Sequence, residues 1–389
     1  MNWPIVKLGD LFKVTSGGTP SRSIPEYYEN GDIPWIKTGD LHNRYVEQAS
    51  EYITSAGLNS SSTRLYPVGT VLVAMYGATI GACSTLKIPA CTNQACAAFT
   101  PNEKVDTDYL YYFLKHSKPV FVNAGSGGAQ PNISAGYLKN YEIPLPPLAE
   151  QKRIAAILDK ADAIRRKRQQ AIQLADDFLK AVFLDMFGDP VANPKGCEIK
   201  KIEDVSFRVT KGESPKWQGF DYGDDGVRFI TSENVLWGKL DNRVKFIPHE
   251  FHEKLKRSQV TDKDLLINLV GASVGRACLA TIGKSYANVN QAVSVTTLNS
   301  SRILPEIALI QILLPSLQRT LIGNAVDAAR ANVSLKNIRE LELIIPPFPL
   351  QQKFMEIVSR FSLHQKKITS SVEDYLFSSL SQKAFSGQL

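Results

Sequence analysis

Ile345-Pro346-Pro347-Phe348 is the stretch of this 389-residue chain that comes nearest to a catalytic motif. An adenine methyltransferase pairs an Asn/Asp-Pro-Pro-aromatic turn, which grips the exocyclic amine of a flipped base, with a glycine-rich cofactor loop. Isoleucine cannot accept that hydrogen bond, no such glycine-rich loop is present, and the segment repeats Leu145-Pro146-Pro147-Leu148, so it reads as a structural turn. Gly283-Lys284-Ser285 has the tail of a phosphate-cradling loop, but Cys278 stands where its first glycine belongs. His249 and His252 are spaced i, i+3 rather than the i, i+4 that lets one helix face present both to zinc. The five cysteines, Cys83, Cys91, Cys96, Cys197 and Cys278, form no CxxC pair and read as buried reduced thiols, with no bound metal expected. A catalytic constellation is missing, so a nuclease or methyltransferase in its own right is not expected.

The elements behind these residues occur twice. Asp10-Leu11-Phe12-Lys13-Val14-Thr15-Ser16-Gly17 is echoed by Asp204-Val205-Ser206-Phe207-Arg208-Val209-Thr210-Lys211-Gly212. Pro34 through Leu41 matches Arg228 through Val235, and Val71 through Gly81 matches Leu265 through Gly275, both displaced by 194 positions. Asn93-Gln94-Ala95 recurs as Asn290-Gln291-Ala292, Asn132-Ile133-Ser134 as Asn332-Val333-Ser334, and Pro146-Pro147 as Pro346-Pro347. A repeat of this kind decides the architecture: the chain reads as a tandem duplication, A-B-A'-B'.

The A segments mix short β-type runs, such as Thr70 to Met75 and Asp264 to Val270, with Gly-, Asn- and Ser-rich turns, and each reads as an α/β domain. The B segments lack internal Pro or Gly and each reads as one long helix. In the first, Ile154, Ala161, Ala175 and Val182 share a heptad position, joined by Ile157, Ile164, Ala171 and Phe178. In the second, Phe354, Phe361, Ile368 and Tyr375 are flanked by Ile357, Val358, Val372 and Leu376. The economical partner for each stripe is the other helix. An antiparallel coiled coil would create an approximate two-fold axis, and at 1.5 Å per residue would span about 50 Å, on the order of 15 base pairs. The expected class is therefore α+β, with domains over 1–143 and 196–343 alternating with helical regions over 144–195 and 344–389.

A formal charge of +7 suits a polyanion-binding surface, and 43% hydrophobic with 21% charged residues is the composition of an ordinary folded protein. The N-terminus lacks a basic stretch followed by an apolar core, and no run is long enough to cross a bilayer, so a cytoplasmic protein is expected.

With this plan the chain resembles, over essentially its whole length, the specificity subunits of Type I restriction-modification enzymes. The resemblance is carried by Leu8-Gly9-Asp10-Leu11 with Gly17-Gly18-Thr19-Pro20, by Gly69-Thr70-Val71-Leu72 to Gly81, by Thr92-Asn93-Gln94, and by Ile143-Pro144-Leu145-Pro146-Pro147-Leu148-Ala149-Glu150-Gln151-Lys152-Arg153-Ile154. It implies two target recognition domains, each reading one half of a bipartite, asymmetric DNA site, and two helical regions that fix the spacing and dock methyltransferase subunits. It further implies a complex with two modification subunits that use S-adenosylmethionine and with restriction subunits that use ATP and Mg, no cofactor being bound by this chain itself. The second half departs from the pattern where Glu233 replaces Gly39 and Leu350-Gln351-Gln352-Lys353 replaces the Ala-Glu-Gln-Lys form. A coiled-coil scaffold whose globular ends bind protein would also explain the helices, but not the duplicated reader motifs.

On that reading phosphates are met by Lys and Arg, and sequence is read by side chains that pair with base edges in the major groove of double-stranded DNA. The candidates in the first domain are Lys37, Thr38, Tyr76 and Thr79; their counterparts are Thr231, Ser232, Asn234, Ser273 and Arg276. Arg64 and Arg257 are phosphate-binding candidates. Asn93-Gln94 and Asn290-Gln291 could pair with adenine, yet their recurrence in both halves favours a shared structural role. Arg165-Arg166-Lys167-Arg168 faces nearly all round its helix, which argues against a single-faced groove; these residues pair with a docked methyltransferase, cover the groove from above, or lie on a solvated face.

Overall fold

Val71-Leu72-Val73-Ala74 is a short, continuous apolar run, and it becomes a strand buried at every position. A strand of that composition has to be covered on both faces, and alternate residues divide the task. Val71 and Val73 enter a core with Leu8, Phe99 and Tyr109, while Leu72 and Ala74 face a second cluster with Ile36, Val46 and Leu86. Leu265–Asn268 repeats the arrangement, with Leu265 and Ile267 on one side and Leu266 on the other. The computed structural model describes residues 3–125, 132–323, 332–368 and 372–389, with side chains outside 362–375. The chain divides into two compact units, residues 1–169 with 370–389, and residues 170–369.

In the first unit Val71–Ala74 lies between Cys96–Phe99 and Cys83–Leu86, antiparallel to both, with Thr15–Ser16 and Tyr45–Val46 at the edges of a five-stranded sheet. A smaller sheet places Ile33–Ile36 between Glu51–Ile53 and a parallel partner, Cys91–Thr92. The second unit has the same centre. Leu265–Asn268 lies between Val293–Leu298 and Ala277–Leu279, and Val227–Ile230 pairs with Lys245–Ile247 and, in parallel, with Ala287–Val289. The edges differ. Among the described residues the Tyr45–Val46 edge strand of the first unit has no counterpart in the second, whose smaller sheet is instead extended by Gln259–Val260. A two-stranded ribbon, Ile5–Lys7 with Glu142–Pro144 or Glu198–Lys201 with Glu342–Ile345, precedes each long helix.

The first long helix is Leu148–Phe187; the second is described as Phe348–Ile368 and Val372–Phe385. Each unit holds the start of one helix and the end of the other. In the first unit Ile154, Ala155 and Leu158 share a core with Ala384, and Phe385 packs on Tyr109 and Phe113 of the Thr107–His116 helix at 5.6 and 5.4 Å between ring centroids. In the second unit Phe354 takes the first role and Phe183 and Phe187 the second, at 5.9 and 5.8 Å from it. Each of these three buried phenylalanines contributes about 1.5–3 kcal/mol by leaving water. The helices run antiparallel within each unit, since Arg165 lies against Phe377 and Arg153 against Leu389 in one, and Phe178 stacks on Phe361 in the other.

The expected stripes are only partly the buried ones. Ile154, Ala161 and Ala175 are buried, but Ile164 and Phe178 are 49% and 45% exposed, and Ala155, Leu158 and Asp162 take their share of the interior. The reason is that the helix turns its buried face toward its own α/β domain as well as its helical partner. Ile368, Val372 and Tyr375 fall outside the described side chains.

One buried amide ties helix to domain in both units. Gln151 Oε1 accepts from the Asp106 amide at 2.8 Å, and its Nε2 donates to the Lys104 and Pro146 carbonyls. Gln351 does the same with the Leu304 amide at 2.9 Å and the Arg302 and Pro346 carbonyls. Gln351, not Gln352, thus stands at the place of Gln151, and the expected matching of Leu350-Gln351-Gln352-Lys353 with Ala149-Glu150-Gln151-Lys152 is one residue out of register, because the hydrogen bonds follow the Pro146 and Pro346 turns.

Candidate nucleic-acid interface

The hairpin after Val71–Ala74 turns through Gly77 and Gly81, whose φ of +68° and +74° lie in the left-handed region. Gly271 and Gly275 do the same at +77° and +81°. The pinning bonds match as well. Gly81 N donates to Ala74 O and Ile133 N to Met75 O; Gly275 N donates to Asn268 O and Val333 N to Leu269 O. Two turns of one backbone design thus carry different side chains: Tyr76 and Thr79 in one, Val270, Ser273 and Arg276 in the other. Tyr76 is 44% exposed and Val270 39%, whereas the Thr79 hydroxyl is engaged with Tyr76 O at 3.0 Å.

The neighbouring turn repeats too. Lys37 N donates to Asp40 Oδ2 at 2.8 Å, and Thr231 N to Asn234 Oδ1 at 2.9 Å. Thr231 and Asn234 are buried; the Thr231 hydroxyl also bonds Asn234 Oδ1, and Asn234 Nδ2 donates to Arg243 O, so their polar atoms are spent inside the protein. Thr38 and Ser232 are half-buried at the turn surfaces. Lys37 Nζ pairs with Glu51 at 2.6 Å, and hydrogen bonds from Lys37 and Arg22 hold the Glu51 carboxyl below its usual range. Arg257 is ion-paired with Glu213, Arg64 is exposed, and Arg276 is half-exposed on its turn. Asn93 and Asn290 each accept a hydrogen bond from the amide two residues on, at 3.2 Å, the signature of a shared turn.

A polar cleft of about 460 Å³ in the first unit brings several of these pieces together. Thr38, Ala78 and Thr79 line it from the two turns, and the remaining walls carry Arg44, Lys115, Lys118, Arg165 and Arg166. Asp162, with no exposed side-chain surface, anchors the basic side. It receives Lys115 Nζ at 3.0 Å and Arg165 Nε at 3.0 Å, and pairs with Arg166 Nε at 3.2 Å. A carboxylate buried alone would cost several kcal/mol, which these three cations offset. Burial raises its pKa, but Lys115 and Arg165 outweigh that and leave it below the ordinary Asp value; burial lowers that of Lys115. Arg44, also buried, is held by Asp108 at 2.8 Å and by Asp159.

Arg165 and Arg166 thereby depart from the expectation that helix geometry would keep the basic cluster from a single face. Adjacent residues sit about 100° apart on a helix, yet both side chains curl back to Asp162 and line one cleft. Sequence reasoning misses Arg44, Lys115, Lys118 and Asp162. A signal existed for Asp162, an acidic residue beside Ala161 on the apolar stripe and one turn before two arginines.

The motif-like fragments are occupied structurally. Asp262 Oδ1 accepts from Gly283 N, His252 Nδ1 lies 2.6 Å from Asn288 Oδ1, and the Pro346 carbonyl accepts from Gln351. Cys83, Cys91, Cys96 and Cys278 are buried free thiols, and Cys197 is half-buried. Among the described residues no helix is long and apolar enough to cross a membrane.

The family model described as "Type I restriction modification DNA specificity domain" matches residues 1–174 and 194–374. The chain is 27% identical over 379 residues to the Type I restriction enzyme MjaIX specificity subunit of Methanocaldococcus jannaschii, covering 92% of this chain and 86% of that one. It is 33% identical over 162 residues to the EcoR124I/EcoR124II specificity subunit of Escherichia coli, 40% of each. Its fold is similar to the crystal structure of a Type I restriction-modification S subunit from M. genitalium, with a TM-score of 0.54 at 15% identity over 99% of this chain and 96% of that one. Both halves of the duplication fall within the family model, and the chain belongs to the Type I restriction modification DNA specificity family.

Proposed function

We infer that this chain supplies DNA sequence recognition to a Type I restriction-modification complex and leaves the chemistry to its partners. Family membership implies methyltransferase and restriction subunits as those partners. In the finer reading, residues 1–143 and 196–343 are target recognition domains, each taking one half of a bipartite asymmetric site. Residues 144–195 and 344–389 set the spacing and dock two modification subunits, which use S-adenosylmethionine, while restriction subunits use ATP and Mg. The observation that carries this reading is the pair of turns at 76–81 and 270–276, alike in backbone but different in side chains. Two readers built alike with unlike faces suit two different half-sites. Lys37, Thr38, Tyr76 and Thr79 on one side, and Ser232, Ser273 and Arg276 on the other, are the proposed contacts, with Arg64 and Arg257 toward phosphates. Thr231 and Asn234 would shape the second reader from inside.

The test is adenine-methylation mapping of cellular DNA with the gene intact, deleted, or altered by exchanging residues 196–343 for those of a relative. Loss on deletion, with one half of a bipartite motif changed by the exchange, is the expected result. A methylation pattern indifferent to both, in cells where the partner methyltransferase is active, would overturn it.

A further inference from the structure

We propose that Asp162 is a positioning residue that holds Arg165 and Arg166, with Lys115, as one wall of a seat for the DNA phosphate backbone, a seat whose residues the first half of the duplication carries and the second does not. The proposal rests on the DNA-reading role inferred above. Asp162 is wholly buried, yet the side chains it anchors reach the surface: Arg165 is 27% and Arg166 45% exposed. Arg165 spends Nε on Asp162 Oδ1, with Nη2 also 3.0 Å from that oxygen, whereas Arg166 turns Nε toward Oδ2. A guanidinium carries five N–H donors, so each arginine keeps donors beyond its pairing with Asp162. Lys118 adds an exposed ammonium at the rim. Arg44 is neutralised by Asp108 and Asp159, so it shapes the cleft and contributes little net charge.

The chemistry recognised is that of a phosphodiester: fixed guanidinium forks on one side and the Thr38 hydroxyl on the other. In sequence the duplicate keeps a turn hydroxyl and one cation but lacks the carboxylate anchor, both guanidiniums and both lysines. The register that equates Gln151 with Gln351 puts Ser362 at Asp162 and Gln365 at Arg165, leaving Lys366 at Arg166. The register that equates Asp106 with Leu304 puts Leu313 at Lys115 and Ser316 at Lys118. The cleft opens onto the reading turns of its own unit, which favours the nucleic acid those turns read over an acidic protein surface.

The experiment uses the chain assembled with its modification subunits, on a duplex carrying the motif found by methylation mapping. The double variant R165A/R166A is compared with D162N and with K152A/K160A, which removes equal charge from exposed positions of the same helix outside the cleft. For R165A/R166A the expected result is weaker binding and a plot of log K against log salt that is shallower by about 0.9 for each phosphate no longer neutralised, near 1.8 in all. D162N should weaken binding as well, although it adds one unit of net positive charge, because it releases both guanidiniums; K152A/K160A should leave the slope unchanged, and the methylated motif should stay the same in all three. Phosphate-ethylation interference should disappear over one half-site alone. An unchanged slope in an intact complex would overturn the proposal, as would failure of R165A/R166A to retain the modification subunits, which would assign the surface to protein docking. If D162N does not fold, the double variant decides the matter. A motif that never depended on the wild-type chain would instead sink the DNA-reading role itself.

Discussion

Replacing Gln151 by Met keeps the volume of a buried side chain while removing three hydrogen bonds, to the Asp106 amide and the Lys104 and Pro146 carbonyls. Each such bond contributes about 1 kcal/mol net, and more where the abandoned partner stays dry, so the expected loss is about 3 kcal/mol. For a unit of this size that lowers its thermal transition by roughly 6–12 °C. The effect should be confined to one unit, because the equivalent amide, Gln351, serves the other. Hydrogen-exchange mass spectrometry of the full chain resolves this segment by segment. Q151M should accelerate exchange over 104–116 and the first turns of the 148–187 helix, and leave 302–312 unchanged; Q351M should do the reverse. A loss below about 1 kcal/mol, or an equal response of both units to either variant, would refute the view that these glutamines are local staples.

Gly77→Ala and Gly271→Ala meet no atom within 4 Å but strain a left-handed backbone, so each should cost about 1–2 kcal/mol by urea unfolding, leave the fold intact, and relax one half of the methylated motif. A variant with an unchanged motif would remove that turn from the reading surface. Native-state alkylation near neutral pH should reach half-buried Cys197 well before Cys91 and Cys83, whose thiols burial pushes up to about 11 and about 12; equal rates by mass spectrometry would contradict this. Because the folded Asp162 pKa is depressed, its ionisation stabilises the protein fully above the usual carboxylate range, near 3.9, and the contribution is lost as pH falls through the folded value. Acid titrations of stability should therefore fall more steeply for the natural protein than for D162N at the lowest pH values.

The duplication is legible in the sequence because what repeats is hydrogen-bonding necessity. The Asn93 and Asn290 turns and the 77–81 and 271–275 glycines each need one residue type at one place, and such places survive as matching letters. The glutamine staples match too, but two adjacent glutamines, Gln351 and Gln352, hide the register that only their hydrogen bonds fix. The long helices are legible from the absence of breakers. What spacing does not convey is direction. Thr231 and Asn234 have the side chains of base readers, yet they turn inward because their turn needs an acceptor for the Thr231 amide, the place Asp40 fills for Lys37. The helix stripe has the spacing of a seam for one partner, but it divides between a helix and a domain, which is why Leu158 and Asp162 are buried while Ile164 is exposed. The basic cleft joins segments more than a hundred residues apart, from Thr38 to Arg166, and no local pattern announces an encounter of that range.

The division between repeated scaffold and unrepeated surface bears on how such a protein can change what it reads. The groups that recur in both units are mostly internal: glutamine staples, asparagine turns, left-handed glycines and the alternating apolar strands. Altering one of them costs about 1 kcal/mol or more against a total stability of about ten. The residues that differ, Tyr76 against Val270, Thr79 against Ser273, or Ala82 against Arg276, stand on turns whose backbone is fixed by other residues. Substitution there falls in the range of surface changes, usually within about 0.5 kcal/mol. A reader of this design can therefore exchange turn side chains, or a whole α/β domain between its ribbon and its glutamine staple, without renegotiating the core. The Asp162 cluster is the exception, a buried charge network of the first unit. A graft that carried the first domain without the 159–166 stretch of helix would strand Lys115 and Arg44 without carboxylates they pair with, so the exchangeable module must extend into the helix as far as Arg166.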